Sequence, residues 1–243
     1  MMDPLRKIRR VNPGAPLWRI VWWWFLRAII RMLLFAFYRH RWYDPRNVPD
    51  EGPVLLLSNH QSYLDLVLLG TGLGHRHFHS MARHTLFRNR FFAWLIRSLN
   101  AFEVDQSKGD IRAMRTAIDR LKQGNLLLVF PEGKRTEDGA VHGLQPGIML
   151  LVRRAKPTII PAAVEGAYDI WPIHTSRPKL RGRTAVKYGA PIPADELLAL
   201  PADDALALIA SRIDALRLEL RSTLRSQTRG KFPPPGPGDS RSF

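Results

Sequence analysis

Six short strand-like runs recur along the chain, at residues 53–58, 78–82, 101–104, 126–130, 159–165 and 184–188, with segments of a different period between them. Runs of four to eight residues suit buried strands and are too short for independent helices. The intervening segments 62–73, 85–99, 108–123 and 147–154 read as helices. The clearest is 108–123, where Ile111, Met114, Ile118 and Leu121 share one face and Gly124 follows as a stop. Such alternation predicts an α/β fold: a single domain with a mostly buried mixed or parallel sheet flanked by helices. Leu206, Ile209, Ile213, Leu216 and Leu220 mark a C-terminal amphipathic helix. It is too short for a coiled coil and is expected to dock on the domain. Residues 229–243, with Pro233, Pro234, Pro235 and Pro237, read as a disordered tail.

The N-terminus has a different character. Arg6, Lys7, Arg9 and Arg10 precede a strongly apolar segment, 17–38, that includes Trp22, Trp23, Trp24, Phe25, Phe35 and Phe37. Its length suits a membrane span. Arg19, Arg27 and Arg31 interrupt it, and a mid-bilayer arginine costs roughly 2.5–3.5 kcal/mol on insertion scales. At 100° per residue the three arginines lie at relative angles of about 0°, 80° and 120°, on one side of a helix. An arginine side opposite a tryptophan-rich apolar side predicts a helix lying in the membrane interface, in preference to a span or a plain core helix. A cleavable signal fits poorly, because Arg39, His40 and Arg41 follow in place of small residues. The chain is thus divided into a basic and apolar anchoring segment, 1–45, a main α/β domain, 46–228, and the tail, 229–243.

Lysine and arginine outnumber aspartate and glutamate by 37 to 21, a net charge of +16. This balance points to anionic partners: nucleic acid, an anionic membrane surface or phosphorylated substrates. No recognised nucleic-acid motif accompanies the charge, so nucleic acid is not expected as a partner. Segment 87–94, with Arg88 and Arg90 among aromatics, reads first as a core helix and next as a second membrane-contacting helix. The absence of cysteine excludes disulfides, a thiol nucleophile and thiolate metal sites. His75, His77 and His79 alternate as strand-borne metal ligands would, but no carboxylate pattern completes a site. They read as solvated or loop histidines, and no metal is expected.

Two motifs carry chemistry, and each follows a strand-like run. The first is Asn59-His60-Gln61-Ser62-Tyr63-Leu64-Asp65. Residues five apart on a straight helix are about 140° out of phase, so His60 and Asp65 can meet only if His60 lies in the turn before a helix and Asp65 in its first turn. Asp65 would then orient the imidazole and leave its second nitrogen free as a base. Ser62 and Asp65 also resemble a capping box, in which Asp65 closes the helix end; the two roles can coexist. The second motif is Phe130-Pro131-Glu132-Gly133-Lys134-Arg135-Thr136. It reads either as an ordinary sharp exit from a strand or as a loop whose backbone N–H groups and Arg135 bind a phosphate while Glu132 holds hydroxyls. Loops after strand C-termini are where α/β sheets place ligands.

Together these residues resemble the glycerolphosphate acyltransferase family over residues 54–192. Asn59, His60 and Asp65 match the family's first block; Phe130, Pro131, Glu132, Gly133, Arg135 and Thr136 match its third; Ile160, Pro161, Ala162 and Ala163 match its fourth. The second block departs: Val104-Asp105-Gln106 stands where an arginine associated with the acceptor phosphate is typical. The resemblance implies transfer of a fatty acyl group from acyl-coenzyme A or acyl-acyl carrier protein to the free hydroxyl of a lysophospholipid, 1-acylglycerol-3-phosphate above others. Another headgroup or a non-catalytic lipid-binding role is the alternative. His60 and Asp65 would be catalytic, and Glu132, Gly133, Arg135 and Thr136 would hold the acceptor. No bound cofactor is implied. The setting would be the cytoplasmic face of the inner membrane, with peripheral or monotopic attachment.

Overall fold

The structure, a computed structural model, describes residues 11–12, 14–105 and 110–240. Arg6, Lys7, Arg9 and Arg10, and also Gln106 and Lys108, lie outside the described residues.

Among the described residues seven strands form one sheet. They are β1 (Arg41–Tyr43), β2 (Val54–Ser58), β3 (Phe78–Arg83), β4 (Ala101–Val104), β5 (Leu126–Val129), β6 (Thr158–Glu165) and β7 (Ala185–Tyr188). Their order is β1-β7-β6-β2-β5-β3-β4. Every pairing is parallel except β6 with β7, so the sheet is mixed. The three central strands β5, β2 and β6 are almost wholly buried and read as unbroken apolar runs, as strands covered on both faces must.

Around the sheet lie the helices α1 (Leu17–Tyr38), α2 (Asp65–Gly72), α3 (Arg90–Ser98), α4 (Ile111–Lys122), α5 (Gly147–Ala155), α6 (Ala167–Ile170), α7 (Ala194–Leu198) and α8 (Ala202–Gln227). On one face Leu55, Leu57, Leu127 and Ile159 pack against Ala117 and Leu121 of α4, Ile148 and Val152 of α5, and Ile209 and Ile213 of α8. On the other, Leu56, Leu128 and Ile160 pack against Leu68 and Leu69 of α2 and Trp23 and Leu34 of α1. Alternate strand residues thus feed two cores, which fixes the register of each strand. Six of the seven strands and most helices fall where the sequence puts them; β1, three residues paired with β7, does not read as a strand in the sequence and lies within the segment read as the anchor. Gly124, at φ +80°, ends the α4 turn as expected, and Asp110 caps the start of α4 by accepting from the Arg112 and Ala113 N–H groups.

Three expectations are corrected, and one point that the sequence left open is decided. Segment 85–99 is not a core helix: its second half, α3, buries only Ala93 and Ser98 and exposes Phe91, Phe92 and Trp94. His77 and His79 are not solvated. His77 is 8% exposed and stacks on Trp23 at 4.4 Å, and His79 sits within β3. The tail is not disordered over 229–240. Arg225 donates to the Pro233 and Pro234 carbonyls, Arg217 to those of Gly238 and Ser240, and Arg221 pairs with Asp239 at 2.6 Å. Proline carbonyls have no intrachain ladder to join, and a row of arginines on α8 supplies their donors. Finally, the arginine side of α1 faces the protein. Arg19 donates to Asn100, Arg31 lies over the Trp42 ring at 4.2 Å, and Trp18, Val21, Phe25, Met32 and Phe35 point outward.

Candidate active site

The strands β5, β2 and β6 lie side by side and parallel, so the loops leaving their C-terminal ends converge. Asn59, the first residue after β2, fastens one such loop. Its side chain donates to the Val164 carbonyl at 2.9 Å and accepts from the Val164 N–H at 2.8 Å, imitating one more rung of pairing with β6. His60 follows in the turn, and α2 begins at Asp65.

Asp65 is fully buried and reaches back to His60. Its Oδ2 accepts from His60 Nδ1 at 2.8 Å, from the Gln61 N–H at 2.6 Å and from the Ser62 N–H at 2.7 Å. The turn that leads into α2 and the orientation of the histidine are therefore held by one oxygen, and the capping role the sequence allowed is not made. Ser62 is not the flanking cap residue, since Leu64 holds that position. The Ser62 hydroxyl donates instead to the Trp171 carbonyl at 2.9 Å. Because a carboxylate only accepts, Nδ1 carries the proton in the neutral ring, and Nε2 is left with a lone pair. The ring is stacked on Phe130 at 3.9 Å, nearly parallel, and its side chain is 22% exposed. The imidazole is fixed on one face, tethered at one nitrogen and open at the other, which is the arrangement a general base requires.

Glu132 joins the second loop to the first. One oxygen accepts from the His60 N–H at 2.9 Å and the other from the His142 N–H at 3.0 Å, while the Thr136 N–H donates to the His60 carbonyl at 2.7 Å. Burial pushes the Glu132 carboxyl up to about 7, against the pull of those two N–H donors. Gly133 has φ +75°, and a Cβ there would meet Gln145 Cγ at 3.2 Å, so this turn needs glycine. Thr136 is buried, and its hydroxyl donates to Asp138 at 2.7 Å. Arg135 is the residue of this motif with capacity left over. Its guanidinium lies 3.5 Å from the Tyr63 ring, and its Nη1 is buried with no partner among the described residues. Of the four residues read as acceptor-binding, Glu132, Gly133 and Thr136 thus serve the loop's own architecture, while Arg135 keeps a donor available.

Residues the motifs did not single out hold this assembly from behind. Gln61 donates to Glu165 at 3.0 Å and to the Gly139 carbonyl at 3.1 Å, and Glu165 accepts from Arg221 of α8 at 2.5 Å. Burial raises the Glu165 carboxyl to about 7 in spite of Arg221 and Arg217. Glutamine beside the histidine was a visible signal; its partner, 104 residues on, was not.

Beside Glu132, Gly133 and Lys134 opens a cleft of about 890 Å³. Met81, Met114, Ile118 and Leu150 give it an apolar floor, and Arg83, Arg115, Lys134 and Arg154 line it together with the carboxylates of Asp105, Asp110 and Glu132. Such a cleft accommodates an amphiphile with an anionic end.

Residues 39–165 match the family described as Acyltransferase. The chain is 28% identical over 124 residues to a 1-acyl-sn-glycerol-3-phosphate acyltransferase of Bacillus subtilis, covering 51% of this chain and 61% of the relative. It is 26% identical over 176 residues to an enzyme of the same name from Streptococcus pneumoniae, covering 71% and 63%. The matched segments therefore span less than two thirds of these relatives. The fold matches the crystal structure of the 1-acyl-sn-glycerophosphate (LPA) acyltransferase PlsC from Thermotoga maritima, with a TM-score of 0.73 over 89% of this chain and 88% of that one, at 21% identity. The family match takes in just over half of the chain, including the His60–Asp65 pair and the loop from Glu132 to Thr136, and the chain belongs to the acyltransferase family.

Proposed function

We propose that the protein transfers a fatty acyl group from an acyl thioester to the free hydroxyl of a lysophospholipid, with 1-acylglycerol-3-phosphate as acceptor and phospholipid synthesis as the setting. The observation that carries this reading is the buried Asp65 holding His60 by Nδ1, which leaves Nε2 as the base of a partly exposed ring. His60 Nε2 takes the proton of the acceptor hydroxyl as its oxygen attacks the thioester carbonyl. The carbon–sulfur bond then breaks, and the imidazolium returns the proton to the departing thiolate. Asp65 stabilises the imidazolium between these steps. Arg135 holds the acceptor's phosphate from the loop whose turn Gly133 permits and Thr136 ties down, and Glu132 keeps the two loops in register. The donor is acyl-coenzyme A or acyl-acyl carrier protein, its anionic portion met by the arginines of the cleft.

The same reading sets the protein on the cytoplasmic face of the inner membrane, attached by residues 1–45 as a peripheral or monotopic enzyme. Helix α1 is 22 residues long and apolar enough to cross a bilayer. In-plane attachment is favoured because Ile20, Trp23 and Leu34 are buried against the domain along its length. Its outward residues lie about 140° around the helix from the arginine side. Exposed Phe91 and Trp94 of α3 extend that surface, with Trp94 6.0 Å from Trp22. Contiguous exposed apolar surface of this kind marks a membrane or partner contact.

A panel of lysolipids with and without phosphate headgroups, offered with each thioester donor, tests the reading. Phosphate-bearing acceptors are expected to be acylated. Arg135→Ala is expected to raise acceptor KM about tenfold or more and leave donor KM nearly unchanged, since a charge-assisted bond contributes roughly 1.5–3 kcal/mol. A preference for headgroups other than a phosphomonoester would support the second reading, which rests on Gln106 in place of an arginine. Failure to acylate any lysolipid from either donor would remove the enzymatic reading.

A further inference from the structure

Arg217, Arg221 and Arg225 are spaced four apart on α8 and so share one face. All three donate to backbone carbonyls of residues 233–240. Arg221 also faces the site. Its Nη1 donates to Glu165, while its Nε donates to Asp239 at 2.6 Å and its Nη2 to the Pro234 carbonyl at 2.9 Å. Two of its three nitrogens are thus engaged by the C-terminal segment. Asp239 is held in turn: its Oδ1 also pairs with Arg225 at 2.7 Å, and its Oδ2 accepts from the Gly236 N–H at 3.0 Å. A guanidinium is a planar fork, so two bonds to the segment fix the direction in which the third points.

On the other side of Glu165 stands Gln61, fully buried. Its Nε2 donates to Glu165 Oε2 and to the Gly139 carbonyl, and its Oε1 accepts from the Tyr168 N–H at 3.3 Å. Its backbone N–H donates to Asp65 Oδ2, the same oxygen that holds His60 Nδ1. An unbroken run of polar contacts therefore links Asp239 to the imidazole through Arg221, Glu165, Gln61 and Asp65. A second contact runs beside it. Gly238 is buried, and a Cβ on it would lie 3.5 Å from the Gly139 carbonyl that Gln61 also uses. Both Glu165 oxygens accept N–H groups, one from Arg221 and one from Gln61. Burial favours the neutral acid at Glu165, and the arginines oppose it. Released from the segment, Arg221 would leave Glu165 to take up a proton, and a neutral acid holds the Gln61 amide more weakly than a carboxylate does.

We infer, on the acyl-transfer reading of the site, that residues 233–240 form a strap that positions the catalytic histidine. Asp239 and Pro234 hold Arg221 on Glu165, and Glu165 holds Gln61 against the loop that carries His60 and Asp65. Gln61, Glu165, Arg221 and Asp239 are positioning residues: they act through Asp65 and His60 and not on the substrate. Proton transfer by His60 depends on its free nitrogen meeting the acceptor hydroxyl in one geometry, and small displacements of a base are costly in rate. A C-terminal segment far from His60 in sequence thereby becomes part of the catalytic apparatus.

The test uses the full chain in neutral detergent micelles, with 1-acylglycerol-3-phosphate as acceptor and acyl-coenzyme A as donor. Asp239→Ala is expected to lower kcat about tenfold while both KM values stay within about twofold, as misplacement of a base should. A double-mutant cycle with Gln61→Met separates positioning from general weakening. Because Asp239 acts through Gln61, adding Asp239→Ala to Gln61→Met is expected to lower kcat little further, whereas independent effects would multiply. Hydrogen exchange gives a readout free of the reaction. The amides of His60, Gln61 and Ser62, all bonded to carboxylates of the site, are expected to exchange faster in Asp239→Ala, with those of β2 and β5 as protected as in the parent. A parent that acylates no lysolipid would remove the acyl-transfer reading and leave this exchange comparison standing. Parental kcat and parental exchange at these amides in Asp239→Ala, or effects of the two substitutions that multiply, would overturn the strap. Faster exchange spread evenly over the whole chain would overturn it too, because it would mark a tail that stabilises the fold and no more.

Discussion

The loops behind His60 and the outer face of α1 treat water in opposite ways. Around the histidine, Asn59, Gln61, Asp65, Glu132 and Glu165 are all 5% exposed or less, and each is hydrogen-bonded, Asp65 through Oδ2 to its own loop and the others to another loop, a strand end or α8, while the buried Asp65 Oδ1 has no partner among the described residues. Along α1, Trp18, Val21, Phe25, Met32 and Phe35 are between 57% and 72% exposed. Burying polar groups is unfavourable unless each finds a partner, and such networks, once complete, fix geometry. Exposing large apolar groups is unfavourable in water unless another phase covers them. The first region is built to hold one arrangement, and the second is built to be covered. One chain can do both because α1 is two-sided: its arginines and Trp23 serve the protein, and its other face is left over.

The contrast breaks most sharply at His60. His60→Ala is expected to lower turnover by about 10²–10⁴, the usual loss for a positioned general base, with vesicle binding unchanged. Asp65→Asn should cost both turnover and stability, because its Oδ2 serves the ring and two backbone N–H groups at once. Thermal midpoint and acyl transfer measured on both variants check this. A folded His60→Ala protein with near-parental turnover would refute the mechanism.

Arg221→Met reaches the same region from behind. It strips the buried Glu165 of its 2.5 Å partner. Breaking a buried pair from one side typically destabilises by about 3–5 kcal/mol. The double variant Glu165→Gln with Arg221→Met should recover much of that loss, since no uncompensated charge remains. Urea denaturation of the two variants distinguishes a polar brace from an incidental contact: equal stabilities would dismiss the brace.

The outer face of α1 should behave in the reverse sense. Val21→Glu, Phe25→Glu and Met32→Glu together are expected to reduce partition onto anionic vesicles at least about tenfold while leaving the melting temperature nearly unchanged, because they remove exposed apolar area and add like charge. Sedimentation with vesicles at fixed salt reads this. Unchanged partition would move the membrane contact elsewhere.

The last effect is a graded one and concerns pH, between α1 and the sheet. His40 is buried against Thr184 at 2.9 Å, and burial lowers it to about 4 from 6.5. Its folded value is depressed, so the unfolded chain binds the additional proton between those values. The stability His40 contributes is present above pH 6.5 and is lost as pH falls toward 4. Relative to His40→Gln, the parent should therefore lose on the order of 1 kcal/mol per pH unit across that window. Parallel urea curves at neutral and acidic pH measure it.

The family motifs were legible because they are local. His60 and Asp65 meet through one turn and the start of one helix, and a five-residue spacing after a strand is enough to propose the contact. The strands were legible for the same reason: apolar runs of four to eight residues report burial on both faces directly. Segment 85–99 reads as a core helix because aromatics at such a density look buried, and no local pattern shows that α3 turns them outward.

By itself, then, the sequence determined the alternating α/β order, the strand ends that carry the two motifs, and the presence of an apolar helix with arginines along one side. These follow from spacing and residue type over a few turns of chain. The tertiary structure alone decided which side of α1 meets the domain, that Glu132 bridges the backbone of His60 and His142, and that Gln61 is backed by Glu165 and Arg221. It also decided that the proline-rich segment docks on α8, since lone carbonyls there meet Arg217, Arg221 and Arg225. Each of these outcomes depends on which polar atoms converge once the two cores have closed. Hydrogen bonding is short-ranged in space and indifferent to separation along the chain, so no local pattern could announce them.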